Sequence, residues 1–128
     1  MNYHISVIKS SKYCYAFATN DANEMIGKIC IDLDCEDVNR YVKAYNGKFA
    51  KIILVSTSES AVGQGVATAM MNKVIEVLND YNLYLNVIPL KRNDKDMNKN
   101  ELIEFYKKFG FNRYDGDISV TTMIRLTG

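Results

Sequence analysis

The stretch SAVGQGVATAMMNKVIEVL, residues 60–78, decides how the rest of the chain is read. Gly63 and Gly65 stand one residue apart, and an apolar pattern of helical period follows at once. Val66, Met70, Val74 and Leu78 recur every four residues, with Ala67, Met71 and Ile75 beside them on the same stripe, which predicts a helix with one buried face. Just upstream, KIILVST (residues 51–57) is a continuous apolar, β-branched run, which predicts a central strand covered on both faces. Strand, glycine turn and helix thus form one unit. The first N–H groups of a helix lack intrahelical partners and lie at the positive end of its dipole, so phosphate is the natural guest of such a turn. Glycine lets it come close.

Around this unit the chain reads as a single domain over residues 1–128, and a hydrophobic content of 48% is enough for a real core. The formal net charge is +1 with acids and bases interspersed, so neither nucleic acid nor an anionic membrane is indicated as a partner. The opening MNYHISVIKS has no basic lead before a long apolar core, and no run approaches the roughly 20 apolar residues that span a bilayer. A soluble, cytoplasmic protein is expected. Three cysteines without ligand spacing indicate neither a disulfide framework nor a metal site. Cys14 and Cys30 could face each other across a hairpin, but they read better as buried thiols.

Two strands, YHISVI and YCYAFAT, come first, and EMIGKICIDL returns as a third after the turn-rich NDAN. Asp34 can cap a short helix, to about residue 45, on which Val38, Tyr41, Val42 and Tyr45 share a face. LYLNVI is a further strand, which a right-handed crossover places parallel to the central one. Asn98 and Glu101 form a capping-box pattern before a helix carrying Leu102, Ile103, Tyr106 and Phe109, and Gly110 stops it. The tail breaks at residues 115–117, and Ile118, Val120, Thr122, Ile124 and Leu126 then alternate as a last strand.

Spacing sorts the phosphate-binding readings of the glycine turn. A P-loop needs a lysine after its last glycine, and Val66 follows Gly65. The dinucleotide fingerprint places a third glycine where Thr68 stands and an acid about 20 residues on, near Asn86. The remaining pattern, R/Q-x-x-G-x-G/A, is matched by VGQGVA at Gly65 and Ala67, with Val62 in place of the Arg or Gln. That turn is the acyl-CoA pyrophosphate site of the GNAT superfamily of N-acetyltransferases. ELIEFYKKFGF also resembles that superfamily's second hallmark, a helix with a Phe-Tyr pair, here Phe105 and Tyr106, that ends in Gly110-Phe111. Both motifs occur in the family's order, and the chain resembles it from about Tyr13 to the C-terminus.

The resemblance implies an α/β fold with a mixed, mainly antiparallel sheet flanked by helices. The N-terminal helical part is reduced, because few residues separate the first two strands. It implies acetyl-CoA as co-substrate and transfer of its acetyl group to a primary amine by direct attack in a ternary complex. Backbone groups of Val55 and Thr57 would bind the pantetheine arm, and a backbone N–H near Thr57 would polarise the acetyl carbonyl. The N–H groups of Val62, Gly63, Gln64, Gly65, Val66, Ala67 and Thr68 would receive the pyrophosphate. Asn98 or a neighbour would take the family's asparagine role toward CoA. Tyr106 would protonate the departing thiolate, although its spacing with Leu102 and Phe109 equally suits a core tyrosine. No single general base is identifiable: Glu59 follows the central strand, Asp32 and Asp34 end the third, each better suits a solvated or capping role, and a water chain would serve equally. His4 reads as structural or surface, and KRNDKDMNK as a solvated loop. With so little helix to wall the acceptor side, either the acceptor is large, such as a protein amine, or a second subunit or the loop from Pro89 to Lys99 closes the site. A protein acceptor or a site shared in a homodimer is expected. Two other readings stay open: a degenerate CoA-binding or interaction module without catalysis, and a nucleotide-binding protein without affinity for CoA.

Overall fold

A hairpin opens the chain: β1 (Tyr3–Lys9) pairs antiparallel with β2 (Tyr13–Asn20), leaving only residues 10–12 between them. The computed structural model describes residues 2–34, 47–89, 92, 96–114 and 121–127. β3 (Met25–Asp32) follows antiparallel to β2, and β4 (Lys48–Thr57) antiparallel to β3. Then come a single 3-10 turn, Glu59–Ala61, and α1 (Val66–Val77). β5 (Tyr81–Asn86), α2 (Lys99–Lys107), β6 (Asn112–Tyr114) and β7 (Thr122–Arg125) complete the described elements. Among the described residues the sheet has seven strands in the order β1-β2-β3-β4-β5-β7-β6, and β4–β5 is its only parallel pair. The mixed, mainly antiparallel sheet expected from the sequence is thus the observed one. The short helix expected before residue 45 lies in residues 35–46, outside the described residues, as does the break at residues 115–117 with Ile118 and Val120.

α1 turns its stripe of Val66, Met70, Val74 and Leu78 onto the sheet, with Met71 beside them, and all five are buried. Opposite them lie Cys14, Ala16 and Ala18 on β2 and Ile29 and Ile31 on β3, each fully buried. Small side chains on β2 leave the helix room to approach. The closest point is Gly27, where an added Cβ would stand 2.8 Å from Met70 Cε and 2.9 Å from Val66 Cγ1. Gly27→Val should therefore cost about 1–3 kcal/mol of stability, read by urea denaturation. A variant as stable as the parent would show that α1 is not seated by this contact. Cys14 lies opposite Ile31, while Cys30 lies opposite Tyr15, so the two thiols take different faces of the sheet and both are free.

The expectation of a central strand covered on both faces holds at Ile52, which is buried, and fails at Ile53 and Leu54, which are 56% and 41% exposed. The register between β3 and β4 slips at this point: Cys30 faces Leu54 and Ile31 faces Ile52, so Ile53 is the extra residue of a bulge. A bulge breaks the alternation that would have turned one of the two inward.

Candidate active site

β4 and β5 pair only from Lys48↔Tyr81 to Lys51↔Tyr84. Leu85 and Asn86 keep only the pairing of β5's other edge with Met123 and Thr122 of β7, while β4 keeps its pairing with β3 as far as Thr57. The two parallel strands therefore separate beyond Lys51. Ser58 N–H donates to the Ile26 carbonyl at 2.9 Å. Antiparallel pairs alternate in which side they bond, so the N–H and C=O groups of Val55 and Thr57 point away from β3, into the gap. A cleft of about 490 Å³ fills that gap. Residues 52–57 of β4, Leu85 and Asn86 of β5, the glycine turn, and Leu102, Phe105 and Tyr106 of α2 wall it.

Gly63 and Gly65 have φ of +83° and +79°, a region that L side chains rarely adopt, and Gly65 is the N-cap of α1. No side chain caps the helix. The amides of Gly65, Val66, Ala67 and Thr68 consequently lack intrahelical acceptors at the positive end of the dipole. An added Cβ would meet nothing within 4 Å at Gly63, and at Gly65 only the Tyr3 hydroxyl at 3.9 Å. Handedness and an open approach, rather than crowding, are what glycine supplies here. Among the residues expected to bind the cofactor, Val55, Thr57, Val62, Gly63, Gly65, Val66, Ala67 and Thr68 all line the cleft. Gln64 does not, and its amide already donates to the Ala61 carbonyl at 3.2 Å. Asn98 stands outside the cleft wall as the cap of α2: its Oδ1 accepts from Glu101 N at 2.9 Å, and Glu101 Oε1 accepts from Asn98 N at 3.0 Å.

Tyr106 reaches the cleft from α2 while its ring packs edge-on against Phe105 and Phe111, at 5.2 and 5.8 Å between centroids. The residue is 7% exposed, and burial pushes its phenol pKa up to about 12. The proton therefore stays on the oxygen at neutral pH. The end of α2 is fixed from the sheet, where Arg125 Nε on β7 donates to the Phe109 carbonyl at 2.7 Å. A cation at a helix C-terminus also complements the dipole.

The polar group at the far wall is not among the sites expected from the sequence. Arg92 Nε and its backbone N–H donate to Asp96 Oδ2 at 3.0 and 2.8 Å, and a terminal guanidinium nitrogen donates to Asp96 Oδ1 at 3.1 Å. The same terminal nitrogen reaches the Thr57 carbonyl at 2.9 Å. Both side chains line the cleft, 32% and 10% exposed. An i, i+4 Arg-Asp pair in a polar run was the available signal. Glu59, Asp32, Asp34 and His4 are not on the cleft wall. Among the described residues, no three His, Cys, Asp or Glu side chains gather as metal ligands, and no helix is long and apolar enough to cross a membrane.

A parallel strand pair parts above a glycine turn, and a buried tyrosine lines the same cleft from a second helix. The acetyltransferase (GNAT) domain family matches residues 11–113, and the chain belongs to that family. No curated protein matches the sequence. Among solved structures, a Pyrococcus horikoshii protein superposes with a TM-score of 0.66 at 17% identity, covering 89% of this chain and 65% of its own. The PaiA N-acetyltransferase of Thermoplasma acidophilum, in complex with coenzyme A, gives 0.59 at 16% identity, covering 89% and 60%. NAA60 of Arabidopsis thaliana, in complex with a bisubstrate analogue, gives 0.66 at 14% identity, covering 92% and 78%. The chain thus spans less than two thirds of the first two of these, 65% and 60%, and what it shares with all three is the fold.

Proposed function

We propose that the protein transfers an acetyl group from acetyl-CoA to a primary amine by direct attack within a ternary complex. The reading rests above all on the parting of β4 from β5, which leaves the backbone groups of Val55 and Thr57 facing a cleft that ends at unsatisfied helix amides. The pantetheine arm pairs with those groups as a partial strand, and the pyrophosphate sits on the amides of Gly65, Val66, Ala67 and Thr68. The amine nitrogen bonds to the acetyl carbon, the carbon–sulfur bond breaks, and the amine's surplus proton leaves to solvent. A backbone N–H near Thr57 polarises the acetyl oxygen. Tyr106 donates a hydrogen bond to the departing sulfur and passes it the phenol proton, which solvent then restores. Among the described residues, neither Cys14 nor Cys30 lines the cleft, and burial pushes the Cys14 thiol pKa up, so neither is placed to act as a nucleophile. With three residues, 10–12, between β1 and β2, the acceptor side has little helical wall there, which favours an amine on a protein or a site shared with a second copy.

Calorimetric titration with acetyl-CoA, CoA and NAD side by side, followed by mass spectrometry of peptide and small-amine mixtures, tests the reading. CoA and acetyl-CoA should bind, NAD should not, and peptide amines should gain roughly 42 Da per acetyl group, the mass of the transferred group less the displaced proton. NAD binding as tight as CoA, or no amine acetylated, would overturn it, and a monomer that acetylates small free amines while leaving peptides untouched would overturn the protein or shared acceptor site.

A further inference from the structure

We infer that Arg92 and Asp96 form a clasp that competes with the donor's arm for the Thr57 carbonyl, and so selects donors able to replace it. The inference rests on the donor reading above. Thr57 is the last β4 residue paired with β3, and its carbonyl points into the gap between the parted strands. A ligand lying along β4 as a partial strand must bring an N–H to about 2.9 Å from that oxygen. Arg92 already holds the position, at 2.9 Å. The guanidinium does not lie there by chance rotamer: two further hydrogen bonds from it to Asp96 hold it, and the Arg92 backbone N–H donates to the same carboxylate. Asp96 is 10% exposed and Arg92 32%, so a sheltered carboxylate on the cleft wall holds a guanidinium that a ligand in the cleft can reach. A carbonyl can accept twice, but the planar guanidinium stands in the space between the strands, where the ligand backbone has to run.

The consequence is selectivity by chemistry. A pantetheine arm carries amide N–H groups and can replace the lost donor, which offsets breaking the Arg92 bond. The nucleotide half of CoA carries none, and its phosphates are read at the glycine turn instead, so it neither breaks the clasp nor is opposed by it. Removing the guanidinium should therefore tighten CoA and leave the nucleotide unchanged. A plain charge effect would do the opposite, since losing a cation weakens both anions together.

Titration of wild type, Arg92→Met and Asp96→Asn with CoA and with adenosine 3′,5′-bisphosphate separates these cases. Arg92→Met should bind CoA about tenfold more tightly, the scale of one charge-assisted hydrogen bond no longer broken, with the bisphosphate within about twofold of wild type. Asp96→Asn loosens the clasp without deleting the cation, and should move CoA in the same direction by a smaller factor. CoA binding unchanged or weaker in both variants, with wild type still binding, would overturn the clasp and leave the donor reading intact. Failure of all three proteins to bind CoA would overturn the donor reading and the competition with it. Arg92→Met that fails to fold leaves Asp96→Asn to decide.

Discussion

Tyr106→Phe should lower turnover about 100-fold or more, the usual scale of a lost proton donor, while CoA affinity stays within about twofold. The ring keeps its edge contacts with Phe105 and Phe111, so the substitution removes one oxygen from a packed site and little else. Because burial holds the phenol near 12, it is a weaker acid than a free thiol, whose ordinary pKa is about 8.5. The hydrogen bond to charge building on sulfur is accordingly the larger part of the expected effect, and it exists only in the transition state. That predicts a fall in kcat with KM for acetyl-CoA nearly constant. Steady-state kinetics with a competent acceptor checks this, and an unchanged kcat would remove Tyr106 from the mechanism.

The same burial gives the variant a second signature in stability. The folded pKa, about 12, lies above the phenol's ordinary value of 10.0, so the contribution of Tyr106 is fully present below pH 10. It is lost as pH rises toward 12, because the unfolded phenol ionises first. Over that window the wild type should lose about 2 to 3 kcal/mol that Tyr106→Phe does not lose, since each pH unit between the two pKa values is worth about 1.36 kcal/mol. Urea melts at about pH 9 and about pH 11.5, near the two edges of the window, would read the difference directly.

Local pattern and tertiary arrangement divide what the residues disclose. The stripe of Val66, Met70, Val74 and Leu78 is legible because helical period and burial are the same fact seen twice, and all four are buried. The capping box at Asn98 and Glu101 is legible for the same reason, since both hydrogen bonds span three residues. Ile53 and Leu54 are not legible: their exposure follows from a register slip against β3 and from β5 leaving the pair after Tyr84, which are properties of partners far along the chain. Arg92 joins Asp96, four residues on, to Thr57, 35 residues back, and only the first of these separations can be read along the chain. By composition alone KRNDKDMNK is indistinguishable from a solvated loop. The glycine turn lies between the two cases. Its type and position are local, but that Gln64 alone of the run spends its amide on Ala61 depends on the 3-10 turn before it.

With the Gln64 amide spent, the proposed phosphate contacts fall to the amides that follow it, and they are the ones a substitution at the turn should disturb. Gly65→Val should weaken CoA binding about 100-fold or more, the scale of two lost charge-assisted amide contacts, while the protein stays folded. Nothing crowds the site, since the nearest atom to an added Cβ is the Tyr3 hydroxyl at 3.9 Å. The effect comes from φ, which is +79° at this residue and which a β-branched side chain resists. To relieve it the turn must rotate, and the amides of Gly65, Val66 and Ala67 then no longer converge on one phosphate. α1 itself starts at Val66 and its buried stripe is untouched, so the stability cost should be about 1–2 kcal/mol, that of one strained residue. Asparagine tolerates the left-handed region, so Gly65→Asn should recover most of the affinity that valine loses. Gln64→Ala, outside the cleft wall, should change nothing. Calorimetry with CoA on the three variants, alongside their melting curves, tests the whole series. A folded Gly65→Val that binds CoA like wild type would move the phosphate site away from this turn.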